Sequence, residues 1–364
     1  MGIRCGIVGL PNVGKSTLFN ALTKSRSAQA DNYAFCTIDP NVGRVEVSDP
    51  RLDRLSALVQ PQKVVPATVE FVDIAGLVAG ASQGEGLGNR FLAHIREVDA
   101  IAQVVRAFED ENILHVSGRI DPVSDIETIH TELMLADMET ADKALQKAEK
   151  NSKSGDRKQL AFARLLSRVQ AHLHHGLPLG SMDCSPAERQ QLKPLCFLTL
   201  KPVLYIANVG EEGLRDNPHL DRVVEMAKPT SAPVVAICAS IEQELSELDH
   251  EDGLAFLEEM GLEEAGLNRV IRAGYSLLGL QTYFTAGPRE ARAWTIRVGA
   301  TAPQAAGSIH TDFERGFICA ETISYEDYIR YQGEQGAREA GRLRLEGREY
   351  IVQDGDVIHF RFNV

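Results

Sequence analysis

A chain of 364 residues is long enough for two or three domains with substantial cores. Its hydrophobic share of 44% and charged share of 24% are those of an ordinary soluble globular protein, and no uninterrupted apolar run approaches the roughly 18 residues of a membrane span. A formal net charge of −13 argues against a protein that coats nucleic acid broadly, though not against a local basic patch.

The six cysteines, Cys5, Cys36, Cys184, Cys196, Cys238 and Cys319, form no C-x-x-C pair. Neither a zinc site nor a disulfide framework is indicated, as expected for a cytoplasmic protein. The first strand is expected almost at the N-terminus, which leaves no room for a signal peptide.

Residues 5–8 are a short apolar run suited to a buried strand, and residues 16–23 read as the start of a helix. Between them, residues 9–16 read Gly-Leu-Pro-Asn-Val-Gly-Lys-Ser, the P-loop pattern G-x-x-x-x-G-K-[ST]. Gly9 and Gly14 let the backbone curl so that its N–H groups face phosphates. Lys15 supplies a cation for the β- and γ-phosphates, and the Ser16 hydroxyl is a Mg²⁺ ligand. The helix N-terminus then points at the anion. Asn12, Val13, Gly14, Lys15, Ser16 and Thr17 are therefore expected to bind the nucleotide.

Residues 32–41 form a turn-rich connector where a switch I loop would sit. Thr37 there is either a Mg²⁺ ligand or an ordinary turn residue. The β-rich run 67–72 ends in Asp73-Ile74-Ala75-Gly76, a D-x-x-G motif. Asp73 is expected to hold Mg²⁺ and the Gly76 amide to reach the γ-phosphate. Read alone, such an aspartate could equally be a helix cap or turn residue. Gly76, Gly80, Gly84, Gly86 and Gly88 follow within thirteen residues, as a switch II or a plain flexible loop would require. Leu77 stands where Ras-like enzymes place a water-orienting Gln, and its side chain forms no hydrogen bond.

Beyond residue 108 the strand–helix alternation stops. Ile126, Ile129, Leu133 and Ala136 repeat at three and four, as do Phe162, Leu165, Val169 and Leu173, with the polar stretch 151–156 between. Two antiparallel helices follow, roughly 123–150 and 157–174. Residues 142–168 carry eight basic side chains against three acidic, an excess of five inside a strongly acidic chain. This is either an RNA-facing surface or a solvated helical face.

Residues 203–207 form a later strand, followed by Asn208-Val209-Gly210-Glu211. Guanine-specific enzymes carry N-K-x-D there, whose Asp accepts from guanine N1–H and N2–H₂. With Val209 at the Lys position and the longer Glu211 at the Asp position, that geometry is disturbed. A second strand over 234–239 leads to Cys238-Ala239-Ser240, where the last base-contacting loop would sit. Helical signals return at 251–260 and 263–278, and the tail from residue 281 is rich in short β-like runs at 294–298, 342–345 and 357–362.

Together these motifs resemble the YchF subfamily of Obg-type P-loop NTPases. The matching segments are residues 9–17, 32–43, 73–78 with 84–88, Asn208-x-x-Glu211, and Asp354-Gly355-Asp356-Val357 with the last residues 362–364. Ala34 departs from the Pro more usual there. The resemblance spans essentially the whole chain. It implies an α/β P-loop NTPase G domain with a parallel-rich sheet (1–122 and 198–280), an inserted antiparallel helical hairpin (123–197), and a C-terminal ubiquitin-like TGS α+β domain (281–364). It implies ATP rather than GTP hydrolysis, a Mg²⁺ requirement, and the ribosome or ribosomal RNA as partner. His115 is implied as the substitute for the missing Gln, with His94 a rival and a packing histidine the alternative. Asn12 is a candidate ligand for K⁺. Two other readings stay open: a GTPase switch, and a nucleotide-gated binding protein with negligible intrinsic turnover. A cytoplasmic monomer with regulatory protein partners and no membrane attachment completes the expectation.

Overall fold

The computed structural model describes residues 3–24, 42–74, 87–110, 113, 115, 118–152, 156–214 and 216–363. The expected switch residues Thr37, Gly76 and Leu77 lie outside the described residues. The elements, in chain order, are β1 (Arg4–Val8), α1 (Lys15–Lys24), β2 (Val42–Val47), α2 (Pro50–Val59), β3 (Lys63–Val65), β4 (Ala67–Asp73), α3 (Leu87–Glu97) and β5 (Ala100–Arg106). There follow α4 (Pro122–Ser152), α5 (Arg157–His174), α6 (Pro186–Leu192), β6 (Val203–Asn208), α7 (Pro218–Ala227), β7 (Val234–Ile237), α8 (Ala239–Leu245), α9 (His250–Glu259) and α10 (Gly266–Leu277). The last are β8 (Leu280–Ala286), β9 (Glu290–Arg297), α11 (Ala302–Ile309), α12 (Thr311–Arg315), β10 (Phe317–Ile323), α13 (Tyr325–Arg330), α14 (Glu334–Glu339), β11 (Arg344–Glu346) and β12 (Val357–Phe362).

The chain divides into two compact units, residues 1–43 with 70–274, and residues 44–69 with 275–364. The sequence reading placed 44–69 within 1–122 and treated the hairpin as a domain of its own. In the structure the hairpin counts with the first unit. Residues 44–69 count with the second because β3 pairs in parallel with β9, Lys63 opposite Glu290.

The first unit is built on the parallel strands β4, β1, β5, β6 and β7, paired in that order. Parallel strands bury both faces, so they read as continuous apolar runs. Every residue of β5 is buried, as are Cys5, Ile7 and Val8 of β1. Strand β7 stops two residues short of the expected 234–239. The Ala239 N–H donates to Asn208 Oδ1 at 3.0 Å instead of continuing a ladder, and α8 begins there.

The hairpin forms where the apolar periodicity places it. Ile126, Ile129, Leu133 and Ala136 are buried along α4. Ala141, Leu145 and Ala148 pack with Leu165, Leu166, Val169 and Leu173 of α5 in one cluster. Asp156 caps α5 by accepting from the Lys158 N–H at 2.9 Å, which satisfies an otherwise unpaired first-turn donor.

The second unit holds the mixed sheet β11-β10-β12-β8-β9-β3. Tyr283, Ile296, Ala302, Ala305, Ala306, Phe317, Ile358 and Phe360 form its core, with α11 on that face. The Asp354-Gly355-Asp356 motif works here as a structural knot. Asp354 accepts from the Thr282 N–H at 2.9 Å and pairs with Arg51 at 2.7 Å. Asp356 accepts from the Gln353 N–H and the Tyr350 hydroxyl at 2.9 and 2.7 Å. Gly355 has φ +90, and a Cβ on it would meet Arg51 Nη1 at 2.9 Å.

Candidate nucleotide site

The P-loop leaves the end of β1 and closes into α1, whose first turn receives the Leu18 N–H on Gly14 O at 3.0 Å. Its shape depends on two close approaches. A Cβ on Gly9 would lie 2.8 Å from Val104 O, and one on Gly14 (φ +91) would lie 2.2 Å from the Asn208 amide nitrogen. Asn12 sits in the left-handed region at φ 63, which Asn tolerates better than most side chains.

Asn208, at the end of β6 and 4% exposed, is the hub. Its amide nitrogen donates to Val13 O at 3.0 Å, and its Oδ1 accepts from the Ala239 N–H at 3.0 Å. One side chain thus joins the P-loop, the Asn208–Glu211 element and the loop after β7. Val209 is buried among Val105, Ala107, Ala207 and Val223. An ammonium at this position would lose its hydration among aliphatic side chains, so the apolar residue fits this element where a Lys would not. Glu211 is exposed and lines the cleft beside Val209.

The cleft has a volume of about 1320 Å³. It is lined by Asn12, Gly14 and Thr17 of the P-loop, by Phe108, Asp110 and Ile113, and by Asn217 and Gln243. At the start of α1 the Lys15 ammonium pairs with the Asp73 carboxylate at the end of β4, bringing the two sequence-predicted groups together. Ser16 is exposed on the first turn of α1. Ser16 and Asp73 present hard oxygens, the donor chemistry of Mg²⁺, next to a cation suited to phosphate. Gly9 and Gly14 leave no room for a Cβ against Val104 and Asn208, so the loop backbone is held tightly against the ends of β5 and β6.

His115 meets the first turn of α4. Its Nε2 is 2.9 Å from Asp125 Oδ2, the side chains are 3% and 5% exposed, and His115 is not among the residues that line the cleft. Burial pushes the Asp125 carboxyl above its ordinary range, while the hydrogen bond from His115 draws it back.

Two organising residues escaped the sequence reading. Arg106, 1% exposed at the end of β5, donates to the carbonyls of Phe108, Asp110 and Ile113 at 3.1, 3.0 and 2.8 Å. Its guanidinium also lies over the Phe108 ring at 4.6 Å. An Arg closing a strand that is apolar apart from Gln103 was the available signal, since such a charge is buried only when its donors are satisfied. Asn217 caps α7 and donates to Ala107 O at 2.9 Å.

On the hairpin, Lys143, Lys147, Lys150, Arg157, Lys158, Arg164 and Arg168 are all exposed, and Lys153 lies outside the described residues. Among the described residues no helix is long and apolar enough to cross a membrane.

Residues 4–145 match the MMR_HSR1 family model, described as a 50S ribosome-binding GTPase. Residues 280–363 match YchF-GTPase_C, described as a protein of unknown function (DUF933). The chain is 59% identical to the ribosome-binding ATPase YchF of Haemophilus influenzae and 55% identical to that of Bacillus subtilis, over the whole of each chain. It superposes on the YchF GTPase of Schizosaccharomyces pombe with a TM-score of 0.90 at 38% identity, covering 99% of this chain and 98% of that one. The glycine cradle, the Asn208 hub and the valine in the base-reading element thus occur in a chain that belongs to the YchF family of Obg-type P-loop NTPases.

Proposed function

We propose that this protein is a Mg²⁺-dependent ATPase that works as a nucleotide switch on the ribosome. The observation that carries the choice of ATP is Val209, buried where guanine-specific enzymes place a lysine, followed by Glu211 rather than Asp. Two YchF relatives bear the name ribosome-binding ATPase. Competition binding with ATP and GTP is the test: tighter ATP binding is expected, and tighter GTP binding would return the protein to the GTPase class.

Ser16 and Asp73, with Thr37 as a third candidate ligand, would hold Mg²⁺, which would supply charge neutralisation at the phosphates. The P-loop N–H groups cradle the phosphates, and Lys15 exchanges its contact with Asp73 for a phosphate contact. Gly76 donates its amide to the γ-phosphate. Asn208 holds the base-reading element in register with the P-loop. Leu77 cannot orient the attacking water, so His115 takes that role, and His115→Ala should lower turnover while nucleotide binding stays intact. Asn12 is a candidate K⁺ ligand, and equal rates in Na⁺ and K⁺ buffers would remove that role.

The exposed basic face of the hairpin is the ribosomal RNA contact, joined by the tail unit as a TGS domain. Counterion release gives such a contact a salt slope of about −0.7 to −0.9 per phosphate neutralised. Reversing Lys147, Lys150, Lys153, Arg157 and Lys158 to Glu should abolish ribosome co-sedimentation and leave ATP hydrolysis near normal. Co-sedimentation at wild-type affinity would make the hairpin a solvated face. The setting is a monomer in the cytoplasm.

A second reading is favoured by the position of His115. With its imidazole enclosed against Asp125, intrinsic turnover is low and hydrolysis resets a switch rather than serving a stand-alone enzyme. High multiple turnover on ATP alone would exclude it.

A further inference from the structure

We infer that Asn217 is a positioning residue for nucleobase selection: its side-chain amide ties the turn that carries Glu211 to the end of β5, and so sets where Glu211 stands on the cleft. The inference rests on the reading of Asn208–Glu211 as the base-reading element and names the residue that fixes the far end of that element.

At its near end the element is pinned by backbone. The Ala107 N–H donates to Asn208 O at 2.7 Å, and the Val209 N–H donates to Ile237 O at 2.8 Å. Past Val209 the strand pairing ends. The chain enters a short 3₁₀ turn, Glu211–Leu214, closed by the Gly213 N–H on Gly210 O at 2.9 Å. Glu211 is exposed on this turn and lines the cleft. An exposed side chain on so short a turn gains little from packing, so its place is set by what holds the turn.

Asn217 holds it. The Asn217 amide nitrogen donates to Gly213 O at 3.2 Å and to Ala107 O at 2.9 Å. One residue of the sheet, Ala107, thus serves both ends of the element. Its N–H meets Asn208, and its carbonyl meets the amide that also holds Gly213. Asn217 and Ala107 are both buried, so little water competes for these bonds. The fit is close: a Cβ on Gly213 would lie 2.9 Å from the Asn217 amide nitrogen and 3.3 Å from Val209 Cβ. Asp216, in the left-handed region at φ 53, makes the sharp turn just before Asn217.

The same side chain caps α7. Its Oδ1 accepts from the His219 and Leu220 N–H groups at 3.0 and 3.2 Å. A helix cap needs only that oxygen, and Asp or Ser supplies it equally well. The second task needs two N–H donors on one nitrogen, which among the good caps only Asn brings. The two halves of the amide therefore do separable work, and Asp at 217 keeps the cap while losing the tie.

The test is calorimetric titration of the full chain with Mg²⁺-ATP, Mg²⁺-GTP and inorganic tripolyphosphate, at a temperature where circular dichroism shows each variant folded. The variants are Asn217→Asp, Asn217→Ala and Gly213→Ala. Wild type should prefer ATP. In Asn217→Asp the ATP affinity should fall about tenfold, the factor that corresponds to one lost buried hydrogen bond. GTP affinity should change less than about twofold, so the preference itself falls. Tripolyphosphate, which carries no base, should bind as it does to wild type. Asn217→Ala should show the same loss of preference, and Gly213→Ala, which crowds the tie from the other side, a smaller one.

If Asn217→Ala fails to fold, the other two variants decide. A wild-type ATP preference in folded Asn217→Asp overturns the inference, and a preference lost only in Asn217→Ala reduces the residue to a helix cap. Tripolyphosphate affinity that falls in step with ATP affinity also overturns it, because the effect then passes through the P-loop. A wild type that binds GTP as tightly as ATP instead defeats the ATP reading itself, so the two failures are separable.

Discussion

The nucleotide cleft and the helical hairpin belong to the same compact unit but tolerate change in opposite ways. At the cleft, Gly9 and Gly14 leave no room for a Cβ, and Asn208 joins three chain segments at once. On the hairpin, an apolar stripe makes the structure and the basic side chains stand in water. Function at the cleft therefore depends on single atoms. The RNA contact proposed for the hairpin rests on a summed charge to which each residue adds little.

The sharpest way to break this contrast is Gly14→Ala. The new Cβ meets the Asn208 amide at 2.2 Å in a backbone conformation that L side chains rarely adopt. ATP affinity should fall by about 100-fold or more, read by fluorescent-nucleotide titration, because the loop must move away from the phosphates. Near-wild-type affinity would show that the hub yields more easily than its geometry suggests.

Asn208→Ala comes next. It leaves the Val13 carbonyl and the Ala239 N–H without their partner in a buried place, and a loss of about 1–3 kcal/mol is expected in denaturant unfolding. Nucleotide affinity should fall with it, since the P-loop and the base-reading element lose their common support.

Asp137→Asn probes a place where the hairpin behaves like the cleft. A single amide oxygen cannot serve three donors, so a cost of about 1–3 kcal/mol is expected at pH 7. Burial raises the Asp137 carboxyl above its ordinary 3.8, against the pull of its hydrogen bonds. The folded state therefore binds this proton more tightly than the unfolded chain. Its contribution to stability is fully present below the ordinary value and is lost as pH rises through the raised one. Asparagine does not titrate, so the wild-type advantage should widen as pH falls from 7 toward 4. An advantage that shrinks over that range would mean that the three donors outweigh burial.

The smallest effect belongs to Lys143→Ala. Its pairing with Glu139 is an exposed i,i+4 contact at 2.5 Å, and stability should change by no more than about 0.5 kcal/mol. A larger loss would show that the hairpin surface carries structure as well as charge.

Much of the molecule was legible in the chain itself, because its signals are local. The P-loop pattern prescribes a strand, a glycine turn and a helix within about twenty residues, and β1 and α1 follow it. The three-and-four spacing of apolar residues laid out α4 and α5. The substitution at Val209 pointed to a changed base preference before its apolar surroundings were known. What stayed hidden depends on contacts between residues distant in sequence. Arg106 reads as an ordinary surface charge until three carbonyls of the following loop are seen to surround it. Residues 44–69 read as part of the first domain, yet β3 finds its partner in β9, more than two hundred residues away. His115 stands out only as a titratable group, and where its imidazole points was decided by a carboxylate on a helix that begins seven residues later. Hydrophobic periodicity reports which face of an element is buried. It carries no information about which polar group waits there, because a buried hydrogen bond is fixed by the three-dimensional meeting of two chain segments rather than by the composition of either.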